Sequence, residues 1–196
     1  MDRYILILTD TFEEVEALTQ VDYLRRADIK VDMISITGKL QVTSNRGITV
    51  LADDLIENID LKEYIGIIIP GGLPAAFDIR DDKRVLDIIK KFDEEHKLIS
   101  AICAGPSVLA KAGVLSGRDA VIYPGMEDEL LDANVKEDSI CIDDNIITAR
   151  GAGLAGELAY TLIRKIKGKI QEKQVRFMSV DYLLRDFILK EEKNGK

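Results

Sequence analysis

The chain alternates between two hydrophobic rhythms. Tyr4-Ile-Leu-Ile-Leu-Thr9 is an unbroken apolar run, the pattern of a strand buried on both faces. From Glu13 to Ala27 the apolar residues recur at helical spacing instead, at Val15, Leu18, Val21 and Leu24, with acids in the first turn where the helix dipole favours them. Lys30 to Thr37 then alternates apolar and polar, so the opening segment reads as a β-α-β unit. Leu40 to Ala52 predicts a hairpin with Asn45-Arg46-Gly47 at its turn.

The theme repeats. Ile65 to Ile69 predicts a buried strand ending in Pro70-Gly71-Gly72, and Val85 to Glu95 an amphipathic helix with Val85, Ile88, Ile89 and Phe92 on one face. Leu98 to Ile102 reads as a strand running into a helix with Pro106 in its first turn and Gly113 at its end. Further strands are expected at Ala120–Tyr123, Ile140–Asp143 and Ile146–Arg150, and a helix at Glu157–Ile166. Glu172 to Lys196 predicts one last helix, with Val180, Leu184 and Ile188 as its apolar stripe and a charged end. Strands alternating with helices imply a largely parallel sheet covered on both faces, and 196 residues without repeat or linker suit one domain, 1–196.

Charge and cysteine content narrow the function classes. A net charge of -8, from 35 acidic against 27 basic residues, argues against nucleic acid or an anionic membrane as partner and leaves small molecules open. Two cysteines are too few for a disulfide framework, and the first residues lack the features of a secretory signal, so a reducing cytoplasm is the expected setting. The apolar runs fall far short of the ~20 residues a membrane-spanning helix needs.

In open parallel sheets chemistry gathers at the carboxyl ends of strands, here the turn after Thr9, the Pro70-Gly71-Gly72 turn and the turn at Cys103. Ala101-Ile-Cys103-Ala-Gly105 resembles a nucleophile elbow, with small residues two positions to either side so that a tight turn can expose the central side chain. A thiol ahead of a helix start is expected to have its pKa lowered by the dipole and by nearby N–H groups. The competing reading, a small apolar residue closing a buried strand, loses to the flanking small residues and Pro106. The N–H groups of Gly72 and Ala104 are candidate oxyanion donors. Glu13, Glu14 and Glu16 lie near the same sheet edge, although their pattern alone reads as a solvated, acidic helix start.

Other motifs carry less. His96 precedes Cys103 and sits at a charged helix end, and no histidine follows the cysteine, so a Cys-His dyad with a downstream histidine cannot be assembled. Metal ligands are equally scarce. Gly151-Ala-Gly153-Leu-Ala-Gly156 matches a dinucleotide fingerprint but not its place at the first β-α turn, nor its acidic residue about 20 positions on, so these glycines read as packing and turn residues. Cys141 reads as incidental.

Glu13-Glu-Val-Glu16, Pro70-Gly-Gly72, Ala101-Ile-Cys-Ala-Gly-Pro106 and Thr148-Ala-Arg-Gly151, in this order, resemble the ThiJ/PfpI superfamily, in its DJ-one branch. The similarity extends to about residue 175, leaving a C-terminal helical extension from about 176. The resemblance implies a flavodoxin-like three-layer α/β sandwich with a mostly parallel central sheet, a homodimer and no cofactor or metal. It makes Cys103 the nucleophile and raises Glu16 above its neighbours as a protonated partner, its pKa lifted by burial. Arg150 and Arg46 match family residues near the site. Tyr123 stands where some relatives carry histidine, and Ala104 where protease-like relatives do, which counts against peptide hydrolysis. Two activities follow from the resemblance: a glutathione-independent glyoxalase or deglycase acting on methylglyoxal-type aldehydes, or a redox-sensing, stress-protective protein working through oxidation of Cys103.

Overall fold

The computed structural model describes residues 3–193. In chain order the elements are β1 (Arg3–Leu8), α1 (Glu14–Arg26), β2 (Lys30–Ser35), β3 (Gln41–Thr43), β4 (Thr49–Leu51), β5 (Asp54–Leu55), β6 (Tyr64–Ile69), α2 (Ala75–Asp81) and α3 (Lys83–Glu94). They continue with β7 (Leu98–Ile102), α4 (Pro106–Ala112), β8 (Asp119–Ala120), β9 (Asn134–Val135), β10 (Ile140–Asp143), β11 (Ile146–Ala149), α5 (Ala155–Lys167), α6 (Lys169–Met178) and α7 (Asp181–Lys193).

β1 is buried from Tyr4 to Leu8 because it lies inside the main sheet, whose strand order is β10-β11-β7-β6-β1-β2-β5. All neighbours pair in parallel except β10, which runs antiparallel to β11. Alternation along β1 feeds two cores. Ile5 and Ile7 meet α3 and α4 through Val85, Ile89, Phe92 and Val108, whereas Tyr4, Leu6 and Leu8 meet α1 and α5 through Ala17, Leu24, Leu158 and Leu162. Helices on both faces of a mostly parallel sheet make three layers. The chain leaves β1 toward one edge and β6 toward the other, so a topological switch point lies between them, with a crevice at their carboxyl ends.

Local chemistry sets the helix boundaries. The Glu13 carboxylate accepts the Glu16 N–H at 2.6 Å and caps α1; Asp82 accepts from Arg84 N–H at 2.9 Å and caps α3. Pro106 opens α4, and Gly113 closes it with φ at 82°, a conformation glycine takes without a Cβ penalty. The hairpin is β3 paired antiparallel with β4, and Asn45 N–H donates to Phe12 O at 2.9 Å, docking its turn on the loop after β1.

Three expectations need correction. The stretch Ala120–Tyr123 is not a strand of the main sheet: Asp119–Ala120 pairs only with β9, and Val121 N–H donates to the Thr148 hydroxyl at 3.0 Å rather than to a ladder partner. The last helix is two helices. Ser179 bonds back to the Val175 and Arg176 carbonyls, Val180 takes φ at 61°, and Arg176 Nη1 meets Asp181 Oδ2 at 2.9 Å, so the chain turns before α7. The stripe Val180, Leu184 and Ile188 lies outside the core, at 44%, 56% and 46% exposure. Residues 194–196 of the expected helix lie outside the described residues. α2, too short to show a helical period, and the two-residue β5 were not anticipated. Among the described residues, no helix is long and apolar enough to cross a membrane.

Candidate active site

Three loops meet at the switch-point crevice. Cys103 follows β7 with φ at 62°, a left-handed conformation that a β-carbon disfavours and that surrounding bonds must hold. Its N–H donates to Ala149 O at 2.9 Å, its carbonyl accepts from Tyr123 N–H at 3.0 Å, and Gly105 N–H closes the turn on Ile102 O at 2.8 Å. A β-carbon at Gly105 would sit 2.7 Å from Ile69 O and 2.9 Å from Ile102 O, which is why the elbow needs glycine there.

Gly71 joins the cysteine to the acid. Its N–H donates to Glu16 Oε2 at 2.8 Å, and a β-carbon on it would stand 2.6 Å from Cys103 Cβ and 3.1 Å from Sγ while colliding with the Glu16 carboxyl. Glycine is therefore what lets the two side chains converge. Gly72, with φ at 106°, packs against Thr11 O and Glu13 N, and Glu13 N–H donates to Gly71 O at 3.0 Å, so the loops after β1 and β6 interlock.

Glu16 is 1% exposed, and its Oε1 is buried with no hydrogen bond formed. The reading of Glu13, Glu14 and Glu16 as a solvated helix start is therefore overturned: Glu14 and Glu16 are both buried because this turn of α1 packs under the loops. Burial pushes the Glu16 pKa up to about 7; the nearby Glu13 charge adds to the rise, while the Cys103 thiol and Gly71 N–H oppose it.

The expected lowering of the Cys103 pKa is also overturned. Burial raises it first, and the Glu16 carboxylate adds repulsion, taking the thiol to about 12; the N–H groups of Ala104 and Gly72 work in the opposite direction and are outweighed. The helix start that was expected to favour a thiolate contributes less than a carboxylate at close range. The two groups titrate as a pair, in which ionising either opposes ionising the other.

Comparison with known proteins agrees with this arrangement. The sequence profile of the DJ-1/PfpI family matches residues 2–165. The chain belongs to this family. It is 33% identical over 173 residues to Protein dj-1beta of Drosophila melanogaster, covering 87% of this chain and 92% of that one. It is 31% identical over 153 residues to a protein named deglycase from Pyrococcus abyssi, covering 77% of this chain and 91% of that one. Among solved structures, oxidized Toxoplasma gondii DJ-1 superposes with a TM-score of 0.87 at 34% identity, covering 91% of this chain and 97% of that one. The three-layer flavodoxin-like architecture is thus that of the DJ-1/PfpI family.

The remaining candidates fall at different distances from the sulphur. Tyr123 is bonded through its backbone to Cys103 and is 49% exposed. Arg150 directly follows Ala149, the acceptor of the Cys103 N–H, but its Nε and Nη2 donate to the Asp138 and Lys136 carbonyls at 3.0 and 2.9 Å. Arg46 is exposed at the hairpin turn, next to the Asn45 contact with Phe12. His96 precedes β7 while Cys103 follows it; the imidazole is 73% exposed, with Nδ1 3.3 Å from Asp144 Oδ2. Cys141 is buried on β10, opposite Thr148. Gly151 lies near the Tyr123 ring and Gly156 near the Tyr23 ring. Among the described residues no cluster of His, Cys, Asp and Glu could hold a metal ion. Sequence reasoning missed Gly71, although it stood inside the Pro-Gly-Gly motif, and set aside Glu13, whose cap and charge both bear on Glu16.

Proposed function

We propose that this protein is a cysteine-based glyoxalase or deglycase-like enzyme acting on small α-oxoaldehydes of the methylglyoxal type. The observation that carries the reading is the convergence across Gly71 of a partly exposed thiol and a buried carboxyl that titrates near neutrality. The carboxyl ionises first, so with one proton left on the pair the charge sits on Glu16 and the proton on sulphur. The Glu16 carboxylate takes the thiol proton as Sγ attacks, which removes the repulsion that raises the thiol while the Gly72 and Ala104 N–H groups face the developing charge.

The thiolate attacks the aldehyde carbon, forming a C–S bond as the carbonyl electron pair moves to oxygen, where the Gly72 and Ala104 N–H groups steady it. Glu16 protonates that oxygen, giving a hemithioacetal. As carboxylate, Glu16 then takes the hydrogen from this carbon while electrons flow to the neighbouring ketone, and returns the proton to the second carbon, as the hydroxyl proton of the first carbon passes to the former ketone oxygen. The first carbon is oxidised, the second reduced, and a lactoyl thioester remains. Water cleaves it to lactate and restores the thiol, so the net change is methylglyoxal plus water to lactic acid. The name carried by the Pyrococcus relative makes early glycation adducts a related substrate class for the same attack.

A second reading, oxidation sensing, is favoured by the same donors: two N–H groups and an acid O–H around a partly exposed sulphur would hold the oxygens of a sulfinate. The test is lactate formation from methylglyoxal by the purified protein and by Cys103→Ala and Glu16→Gln. Turnover lost in both variants is the expected result. Negligible turnover by the wild type, with selective peroxide oxidation of Cys103, would replace the enzyme with the sensor.

A further inference from the structure

The first turn of α1 has the spacing of a capping box, with Glu13 at the N-cap and Glu16 three residues on, but one side of the box is open. In the closed form the later side chain reaches back to the N–H of the capping residue. Here the Gly71 peptide stands between them: Glu13 N–H donates to Gly71 O at 3.0 Å, and Gly71 N–H donates to Glu16 Oε2 at 2.8 Å. The other side is intact, with Glu13 Oε2 accepting the Glu16 N–H at 2.6 Å. Three hydrogen bonds therefore form a ring through Glu13, Glu16 and Gly71. The carboxyl that would ordinarily close the helix start is turned toward Cys103 instead.

Capping alone does not account for a glutamate at position 13. Serine, threonine and asparagine are favoured N-caps and would accept the same N–H without a charge. Glutamate adds a negative charge, partly exposed, beside a buried acid. The groups that face the Glu16 carboxyl are this carboxylate from its own helix, the Gly71 N–H from the loop after β6 and the Cys103 thiol from the loop after β7. Glu14, on the same turn, is buried as well. Among the described residues no cation pairs with Glu13 or Glu16, so no counter-charge offsets the repulsion between them.

We propose that Glu13 is a positioning residue for the base: its side chain holds Glu16 against Gly71 and Cys103, and its negative charge makes Glu16 a stronger proton acceptor. The role depends on Glu16 acting as base toward the Cys103 thiol and is independent of which aldehyde is attacked. A base works best when its pKa lies near the operating pH. Burial is the main cause that takes Glu16 to about 7, and the Glu13 charge adds to it.

Aspartate and asparagine cap equally well and differ in charge, so Glu13→Asp and Glu13→Asn isolate the electrostatic part. The measurement is the pH midpoint at which the carboxylic-acid carbonyl band of Glu16 disappears in infrared spectra, the band being assigned by its absence in Glu16→Gln. In Glu13→Asn the midpoint is expected to fall by about one pH unit, and the rise of kcat/KM with pH for lactate formation should move down with it. In Glu13→Asp both should stay near wild type. Equal midpoints in the two variants overturn the electrostatic role. Glu13→Ala, which loses cap and charge together, should shift the midpoint as asparagine does and also lower the plateau of kcat/KM about tenfold. A plateau equal to that of Glu13→Asn overturns the holding role. Circular dichroism checks folding, and Glu13→Gln, of the same length and uncharged, replaces an asparagine variant that does not fold. If the wild type forms no lactate, the aldehyde chemistry falls, while the band midpoint still decides the role of Glu13.

Discussion

Glu16 and Glu172 are both glutamates in the first turn of a helix, and both are buried, at 1% and 6% exposure. Their surroundings differ in one respect. Glu172 meets Arg176 Nε at 3.0 Å and Arg164 Nε at 3.8 Å, and the same Arg176 also binds Glu157 and Asp181 and lies 3.9 Å from the centre of the Tyr160 ring. Glu16 has no cation in pairing distance among the described residues; it has a backbone N–H, a second carboxylate and a thiol. Burial with a counter-charge ties α5, α6 and α7 together. Burial without one leaves a proton that can leave near neutral pH, which is a chemical resource rather than a structural one.

The contrast can be broken from either side. Replacing the sulphur by Cys103→Ala is expected to have the largest effect, a loss of lactate formation on the order of a thousandfold or more, read in steady-state assays, with the fold intact. On the structural side, Arg176→Met removes the cation that Glu157, Glu172 and Asp181 share and should cost about 3–5 kcal/mol in denaturant unfolding, with little effect on the alkylation of Cys103.

The pH dependence of stability distinguishes the two glutamates more finely. The Glu16 pKa rises from 4.5 to about 7 on folding, so between these values the native state holds a proton that the unfolded chain has released. Stability contributed by this group is therefore complete below 4.5, falls as pH rises through 7, and stays low above. Glu16→Gln removes the loss, and at pH 8 it should be more stable than wild type by roughly 3 kcal/mol, the equivalent of that shift. Equal pH profiles in thermal melts would contradict this. Gly71→Ala is expected to have the smallest effect, about a hundredfold in kcat/KM, because its methyl group must push Glu16 and Cys103 apart.

Much of the architecture was legible because β1, α3 and β7 have unmistakable periods, and Pro106 and Gly113 mark the ends of α4. The elbow was legible because sterics restrict its residue types. What escaped was non-local. No pattern around Glu16 states that Gly71, 55 residues away, will bury it and donate to it, and a helix-start argument for Cys103 omits the carboxylate that outweighs the dipole. The break at Val180 escaped for the same reason, since Tyr160, 19 residues before Ser179, holds the turn from outside the local sequence.

Where the pair keeps its last proton is the point on which the chemistry turns, and difference infrared spectroscopy between pH 5 and pH 9 reads it directly. The carboxylic-acid carbonyl band of Glu16, identified by its absence in Glu16→Gln, should give way to a carboxylate band while the S–H stretch of Cys103 persists. Loss of the S–H stretch with the carbonyl band retained would place the charge on sulphur and contradict Glu16 as the base that takes the thiol proton.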